Sequence, residues 1–255
     1  MDPSELRILC LIPARSGSKG LPHKNVRLFR GKPMLAWSID HANSSKHSEQ
    51  MRVVVSTDSE EYARIAMEHG AEAPFLRPAE IAGDLSTDYE CLRHAVDWLG
   101  ENEGYRPDVI LHLRPTQPCR TVEHVDRALD MFLSDRSRYD SLRSVIPVAK
   151  SPYKMYKLSD DQSSLDPLLT DQVGGAECFN QCRQALPQCY LHNGYVDVLN
   201  TSVLEGGSVS GKRILPYIMS EEDDIDIDRE SDIPPPRVRH STTARAALLS
   251  GLVPS

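Results

Sequence analysis

No stretch of this 255-residue chain approaches the roughly 20 consecutive apolar residues needed to cross a bilayer, so a membrane-spanning helix is not expected. The opening Met-Asp-Pro-Ser-Glu has neither the basic nor the apolar region of a signal peptide. Together these predict a cytoplasmic protein. Positive charge is also in deficit: 29 Lys and Arg against 37 Asp and Glu leave a formal charge of −8. A net anion has no general attraction for nucleic acid or an anionic membrane surface, so neither is an expected partner. Any phosphate must be met by a local cluster of cations. Two familiar phosphate signatures are missing as well, since the chain has neither G-x4-G-K-[ST] nor G-x-G-x-x-G. The six cysteines (Cys10, Cys91, Cys119, Cys178, Cys182 and Cys189) stand mostly alone in strand-like or helix-like runs and read as free thiols. Cys178, Cys182, Cys189 and His192 could supply four zinc ligands, but without the C-x2-C spacing of common structural sites.

What is present is an ordinary globular balance, 40% hydrophobic and 26% charged, with ample apolar surface to bury. Residues 7–13 (RILCLIP), 51–56 (MRVVVS), 109–113 (VILHL) and 144–148 read as buried strands. Between them, Tyr62, Ile65, Ala66 and His69 repeat at helical spacing and are closed by Gly70. So do Tyr89, Leu92, Val96 and Leu99, and then Val122, Val125, Leu129 and Phe132. Thr121, with His124 where a capping box needs Glu or Gln, is only a partial cap. Alternating strands and helices predict an α/β fold with a mainly parallel sheet. In such folds, ligands bind beyond the carboxyl ends of the strands. From residue 149 to 190 the alternation breaks, which predicts a small lobe inserted into a domain covering residues 1–232. Residues 194–199 and 213–219 restore strand character, and residues 233–255 read as a C-terminal tail.

Directly after the first strand runs Pro13-Ala-Arg-Ser-Gly-Ser-Lys-Gly-Leu-Pro-His-Lys-Asn25. Gly17 and Gly20 let the backbone approach an anion, and Arg15, Lys19 and Lys24 supply three charges. A floating basic turn would be unremarked; one placed after a buried strand suits a polyphosphate. Near the other end, Ile225-Asp-Ile-Asp228 alternates, so Asp226 and Asp228 share one face if the segment is extended. Two carboxylates aimed together suit a hard divalent cation. The preceding acidic run at residues 221–224 makes a solvated turn the competing reading.

The first of these segments closely resembles the amino-terminal signature of the CMP-sialic acid synthetases, or acylneuraminate cytidylyltransferases. The resemblance continues through Val55-Ser-Thr-Asp58, Arg77-Pro-Ala-Glu-Ile-Ala-Gly-Asp84, Pro115-Thr-Gln-Pro-Cys-Arg120, Asn193-Gly194 and Ile225-Asp-Ile-Asp228. It implies a Rossmann-like nucleotidyltransferase of the nucleotide-diphospho-sugar transferase type, with a small dimerisation lobe and a homodimeric assembly. It implies transfer of CMP from CTP to a 2-keto-3-deoxy sugar acid, with release of pyrophosphate. By the same resemblance, Arg15 and Lys24 contact the CTP phosphates, with Ser16, Gly17, Ser18, Lys19 and Asn25 beside them. Arg77 and Ser86 lie toward the cytosine and ribose. Arg114, Gln117, Asn193 and Tyr195 face the acceptor, and Asp226 and Asp228 bind Mg²⁺, with Asp228 counted among the catalytic residues. The chain departs from the best-known sialic acid enzymes at Arg114, where they carry glutamine, and at Tyr195, where they carry alanine. Arg114 offers a planar fork to a carboxylate, or pairs with a neighbouring acid. Tyr195 predicts a tighter pocket. Two alternatives stay open: the same transfer to another acidic acceptor such as Kdo or a phosphonate, and a non-catalytic nucleotide-binding protein on this fold.

Overall fold

A computed structural model describes residues 6–18, 20–169 and 177–220, together with Glu222, Ile227 and Asp232. The elements run β1 (Ile8–Pro13), β2 (Leu28–Phe29), β3 (Lys32–Pro33), α1 (Met34–Asn43), β4 (Met51–Ser56), α2 (Glu60–Glu68), α3 (Asp88–Glu103), β5 (Val109–His112), α4 (Val122–Asp135), β6 (Ser141–Pro147), β7 (Tyr156–Leu158), β8 (Leu165–Pro167), β9 (Tyr190–Asn200) and β10 (Ile214–Ile218). Six strands form the central sheet in the order β10-β6-β9-β5-β1-β4. β1 is parallel to β4 and β5, and β6 is parallel to β10. β9 lies antiparallel between β5 and β6. The sheet is therefore mainly parallel with one reversed strand inside it.

The alternation of side chains along β1 divides the core. Ile8, Cys10 and Ile12 pack on one face with Leu35 and Ile39 of α1, Tyr62 and Ala66 of α2, and Leu129 and Phe132 of α4. Leu9 and Leu11 pack on the other with Leu92 and Leu99 of α3. Burial on both faces explains why the strand reads as a continuous apolar run. Helix α1 escapes sequence reading because Met34, Leu35, Ala36, Ser38, Ile39, His41 and Ala42 are all buried, which leaves only Trp37, Asp40 and Asn43 to mark its outer face. α3 starts on a full capping box, with Thr87 and Glu90 each accepting the other's backbone N–H. Thr121 makes no side-chain cap at the start of α4.

The last stretch before β10 is fastened to β6 through Asp140, which accepts the N–H groups of Lys212 and Arg213. Gly211 there has φ +65°, and a side chain at that position would collide with Asp140. The interrupted segment holds the β7–β8 hairpin, and β9 begins at Tyr190, earlier than the Gly194 expected from the pattern. Residues 170–176 and the tail from 233 lie outside the described residues, as do Lys19, Asp226 and Asp228.

Candidate active site

The carboxyl ends of β1, β4 and β5, with the start of antiparallel β9, open on one edge of the sheet. The loop after β1 is held at both ends. Ala14 N–H extends the ladder to the Ser56 carbonyl at 2.9 Å. Ser16 then donates both its N–H and its hydroxyl to the Asp58 carboxylate, at 2.7 Å each. At the far end, buried Asn25 donates its amide to the Arg15 carbonyl at 2.9 Å. Gly17 and Gly20 are left exposed and Ser18 half-buried between these anchors. Arg15 reaches Asp84 at 3.0 Å, and half-buried Lys24 begins a short helical turn.

Arg77 is buried at the end of β4, fixed by its N–H to the Thr57 carbonyl and by its Nε to the Ser56 hydroxyl at 3.0 Å. The chain beyond it forms a cleft of about 480 Å³ lined by Glu80, Gly83, Asp84, Leu85, Ser86 and Glu90. Leu85 there is 95% exposed, an apolar side chain held out at the site's rim.

On the other side of β1, the guanidinium of Arg114 is gripped by two carboxylates. Its Nη1 lies 2.7 Å from Asp197 Oδ2 and its Nη2 2.6 Å from Asp88 Oδ2. Gly194, at φ +66°, passes so close that a Cβ there would touch the Arg114 side chain. Asp197 also accepts from His192 Nε2 at 2.8 Å. Burial alone would raise its pKa, but the His192 hydrogen bond and the Arg114 charge hold it well below the usual carboxylate range. Neighbouring His112 is buried, and burial with the Arg114 charge pushes its pKa down to about 4. Gln117 is buried and donates to the Asn193 carbonyl at 3.1 Å. Arg120, also buried, ties Tyr195 O, Ser38 Oγ and Arg114 O together, and its desolvation pulls its pKa down to about 10.

Most of the residues singled out in the sequence thus gather at one edge: Arg15, Ser16, Gly17, Ser18, Lys24 and Asn25 after β1, Arg77 and Ser86 after β4, Arg114 and Gln117 after β5, and Asn193 on β9. Tyr195 does not join them. Its ring is 1% exposed, packs against His124 of α4, and accepts the Thr121 N–H on its hydroxyl at 2.9 Å. The tyrosine closes the start of α4 from within the core, so it does not narrow a pocket. Lys19, Asp226 and Asp228 lie outside the described residues. Ile227, between the two aspartates, is buried with Phe29 and Met34 and donates its N–H to the Thr116 carbonyl at 2.9 Å. This fixes Ile227 beside the loop after β5. Among the four thiol and imidazole groups considered for zinc, Cys178 points its Sγ at the Leu169 carbonyl and His192 is engaged by Asp197. No group of three possible metal ligands occurs among the described residues.

Sequence reasoning assigned no individual role to Asp58, Arg120 or Asp197; it considered His192 only as a possible zinc ligand, and placed Asp88 with Ser86 toward the cytosine and ribose, where the structure instead pairs it with Arg114. Asp58 could have been found, because it follows β4 directly at the edge where ligands bind. Arg120 reaches Tyr195 across 75 residues, and Asp88 and Asp197 reach Arg114 across 26 and 83, whereas His192 and Asp197 are near in sequence.

The family model described as "Cytidylyltransferase" matches residues 9–165. The chain is 33% identical over 228 residues to the N-acylneuraminate cytidylyltransferase of Streptococcus agalactiae serotype V, which covers 89% of this chain and 52% of that protein. The chain therefore spans about half the length of that relative. It is 32% identical over 226 residues to the post-translational flagellin modification protein B of Campylobacter coli, covering 88% of this chain and 91% of that one. It is 31% identical over 231 residues to the CMP-N,N'-diacetyllegionaminic acid synthase of Legionella pneumophila, covering 89% and 93%. Among solved structures, a CMP:2-keto-3-deoxy-manno-octonic acid synthetase complexed with CTP superposes at TM-score 0.62 and 16% identity, covering 96% of this chain and 100% of that one. A 4-diphosphocytidyl-2C-methyl-D-erythritol synthase from Anaerococcus prevotii superposes at TM-score 0.57 and 10% identity, covering 90% and 95%. At these identities the two structures establish a shared fold.

Proposed function

The chain belongs to the cytidylyltransferase family that includes the N-acylneuraminate enzymes, and from that premise we propose that it transfers CMP from CTP to a 2-keto-3-deoxy sugar acid of the nonulosonic type, releasing pyrophosphate. The observation that carries this reading is the loop after β1, clamped by Asp58 and Asn25 over the ends of β1 and β4 with its glycines exposed. Backbone and cations are thereby held ready for a polyphosphate before it arrives, which is the electrostatic preorganisation that phosphoryl-type transfer needs. Arg15, Lys19 and Lys24 carry the charge that meets the phosphates, while Gly17 and Ser18 bring the backbone close. Ser16 serves by fastening the loop to Asp58. Buried Arg77 and the cleft at Ser86 take the cytosine and ribose.

The acceptor lies on the β5 and β9 side, against Gln117, Asn193 and the Arg114 cluster, and its anomeric hydroxyl attacks the α-phosphorus in line. Asp226 and Asp228 fit a hard divalent cation by the chemistry of their oxygens and by the burial of Ile227 between them. They would hold Mg²⁺, which supplies positive charge to the phosphate oxygens when bound. The exposed apolar side chains of the β7–β8 hairpin, Leu158 and Leu165, with Leu168 beyond it, support a homodimer formed through residues 149–190. No helix among the described residues is long and apolar enough to cross a membrane, and we place the reaction in the cytoplasm.

The test is pyrophosphate release from each of CTP, UTP, ATP and GTP, against N-acetylneuraminic acid, Kdn, Kdo and neutral sugar phosphates. CTP with a nine- or eight-carbon sugar acid should dominate, and Asp228→Ala should abolish turnover while CTP still binds. Comparable rates with all four nucleotides, or a best acceptor without an acidic group, would overturn the reading.

A further inference from the structure

The acceptor side carries a histidine–carboxylate dyad that no step so far uses. His192 sits near the start of β9, at the same edge as Gln117 and Asn193, with its side chain 30% exposed. Its Nε2 lies 2.8 Å from Asp197 Oδ1. Asp197, 8% exposed at its side chain, is held from the other side by Arg114 at 2.7 Å, and Arg114 is held in turn by Asp88 at 2.6 Å. Each link is a charge-assisted bond, so the imidazole stands on a chain braced from β9, from the loop after β5 and from the start of α3.

This arrangement fixes the tautomer. An ionised carboxylate only accepts hydrogen bonds, so Nε2 carries the proton and Nδ1 keeps its lone pair. Nδ1 has no hydrogen-bond partner among the described residues. The other charged and titratable groups facing the dyad are Arg114, Asp88, His112 and, opposite Asp197 on β6, Arg143. His112 Nδ1 stands 3.9 Å from Asp197 Oδ2. It is 3% exposed, which bars it from a substrate. Across the sheet, the register partner of His192 on β6 is the apolar Val145.

We propose that His192 is the general base for the acceptor hydroxyl, an inference that rests on the CMP transfer argued above. Nδ1 takes the hydroxyl proton as the acceptor oxygen forms its bond to the α-phosphorus. The bond from that phosphorus to the bridging oxygen breaks, and its electron pair leaves with pyrophosphate. Asp197 stabilises the imidazolium, which returns its proton to water before the next turnover. Such a base contributes on the order of a hundredfold or more to rate.

The experiment uses the full chain with CTP and its best acceptor, comparing wild type, His192→Gln and His192→Ala. Glutamine can still donate to Asp197 and so keeps the support of Arg114 intact. His192→Gln should melt and bind CTP as wild type does, and both variants should lose about a hundredfold or more in kcat. The acidic limb of the wild-type kcat–pH profile should vanish in His192→Gln, and added imidazole should restore turnover to His192→Ala. Retention of kcat within threefold by His192→Gln, persistence of the acidic limb, or failure of imidazole to restore His192→Ala overturns the assignment while leaving the transfer intact. A wild-type protein that releases no pyrophosphate with any sugar acid overturns the transfer and this assignment together.

Discussion

The two halves of the sheet edge use charge in opposite ways. On the β1–β4 side, cations ride on a loop whose own frame is held by neutral or backbone donors, and Arg15 meets one carboxylate in a pair 30% and 37% exposed. On the β5–β9 side, Arg114 is shared by two carboxylates, one of them 8% exposed, above two histidines. The first arrangement keeps its ion pair at the solvent edge. The second spends its charge internally and gains fixed geometry. The difference teaches that the loop after β1 is shaped chiefly by its backbone and neutral side chains, whereas the β5–β9 side is a rigid polar scaffold, where a buried charge is tolerated only while fully paired.

Deleting the hub of the rigid half should have the largest effect. Asp197→Ala leaves Arg114 and His192 without their buried partner, and denaturant unfolding should show a loss of about 3–5 kcal/mol. A loss below 1 kcal/mol would erase the contrast. On the other half the effect should move from stability to catalysis. Arg15→Ala and Lys24→Ala should each lower kcat/KM for CTP about a hundredfold while the unfolding free energy stays near wild type. If both keep most of their activity, the loop is merely structural.

A third comparison sets pH against the buried histidines. The folded pKa of His112, near 4, lies below its unfolded value near 6.5, so folding favours the neutral ring. Its contribution is complete above pH 6.5 and drains away as the pH falls toward 4. Melting temperature should therefore decline across that window, and His112→Gln should flatten the decline. His41, pushed down to about 3 chiefly by burial, keeps the remainder of the slope. An unchanged slope in His112→Gln would remove the histidine from the acceptor scaffold's energetics. The smallest effect belongs to the exposed pair on the nucleotide side. Asp84→Ala should shift unfolding by less than about 1 kcal/mol, because solvent screens it and both side chains must be ordered to form it.

The same contrast governs what the sequence could reveal. The loop after β1 was legible because its glycines and cations fall within a dozen residues and follow RILCLIP, a strand buried on both faces. Position along the chain and position in the site coincide there. The acceptor half is assembled from side chains that local pattern cannot pair: Arg114 meets Asp88 across 26 residues and Asp197 across 83. Its strand β9 runs opposite to its neighbours, and strand pattern alone does not carry direction. Tyr195 illustrates the cost. Its neighbours Asn193 and Gly194 fit the motif at the edge, but a positive φ at Gly194 turns the next side chain inward to α4. A motif match locates a segment and leaves the direction of each side chain to the backbone.

Strand β1 has a further consequence, for biosynthesis. It lies between β4 and β5, and Ile8 pairs with Val109, a separation of 101 residues. At about 5–20 residues per second, a ribosome needs roughly 5 to 20 s to deliver the second partner after the first strand has emerged. Throughout that interval five consecutive apolar side chains, Ile8 to Ile12, have no finished core to enter. Such a strand is exposed to mispairing with other nascent chains, and contacts this distant in sequence form slowly. The apolar run that leads into the glycine-bearing loop is thus exposed while residues 13–109 are being made, and soluble yield should fall when it is left unshielded over that interval.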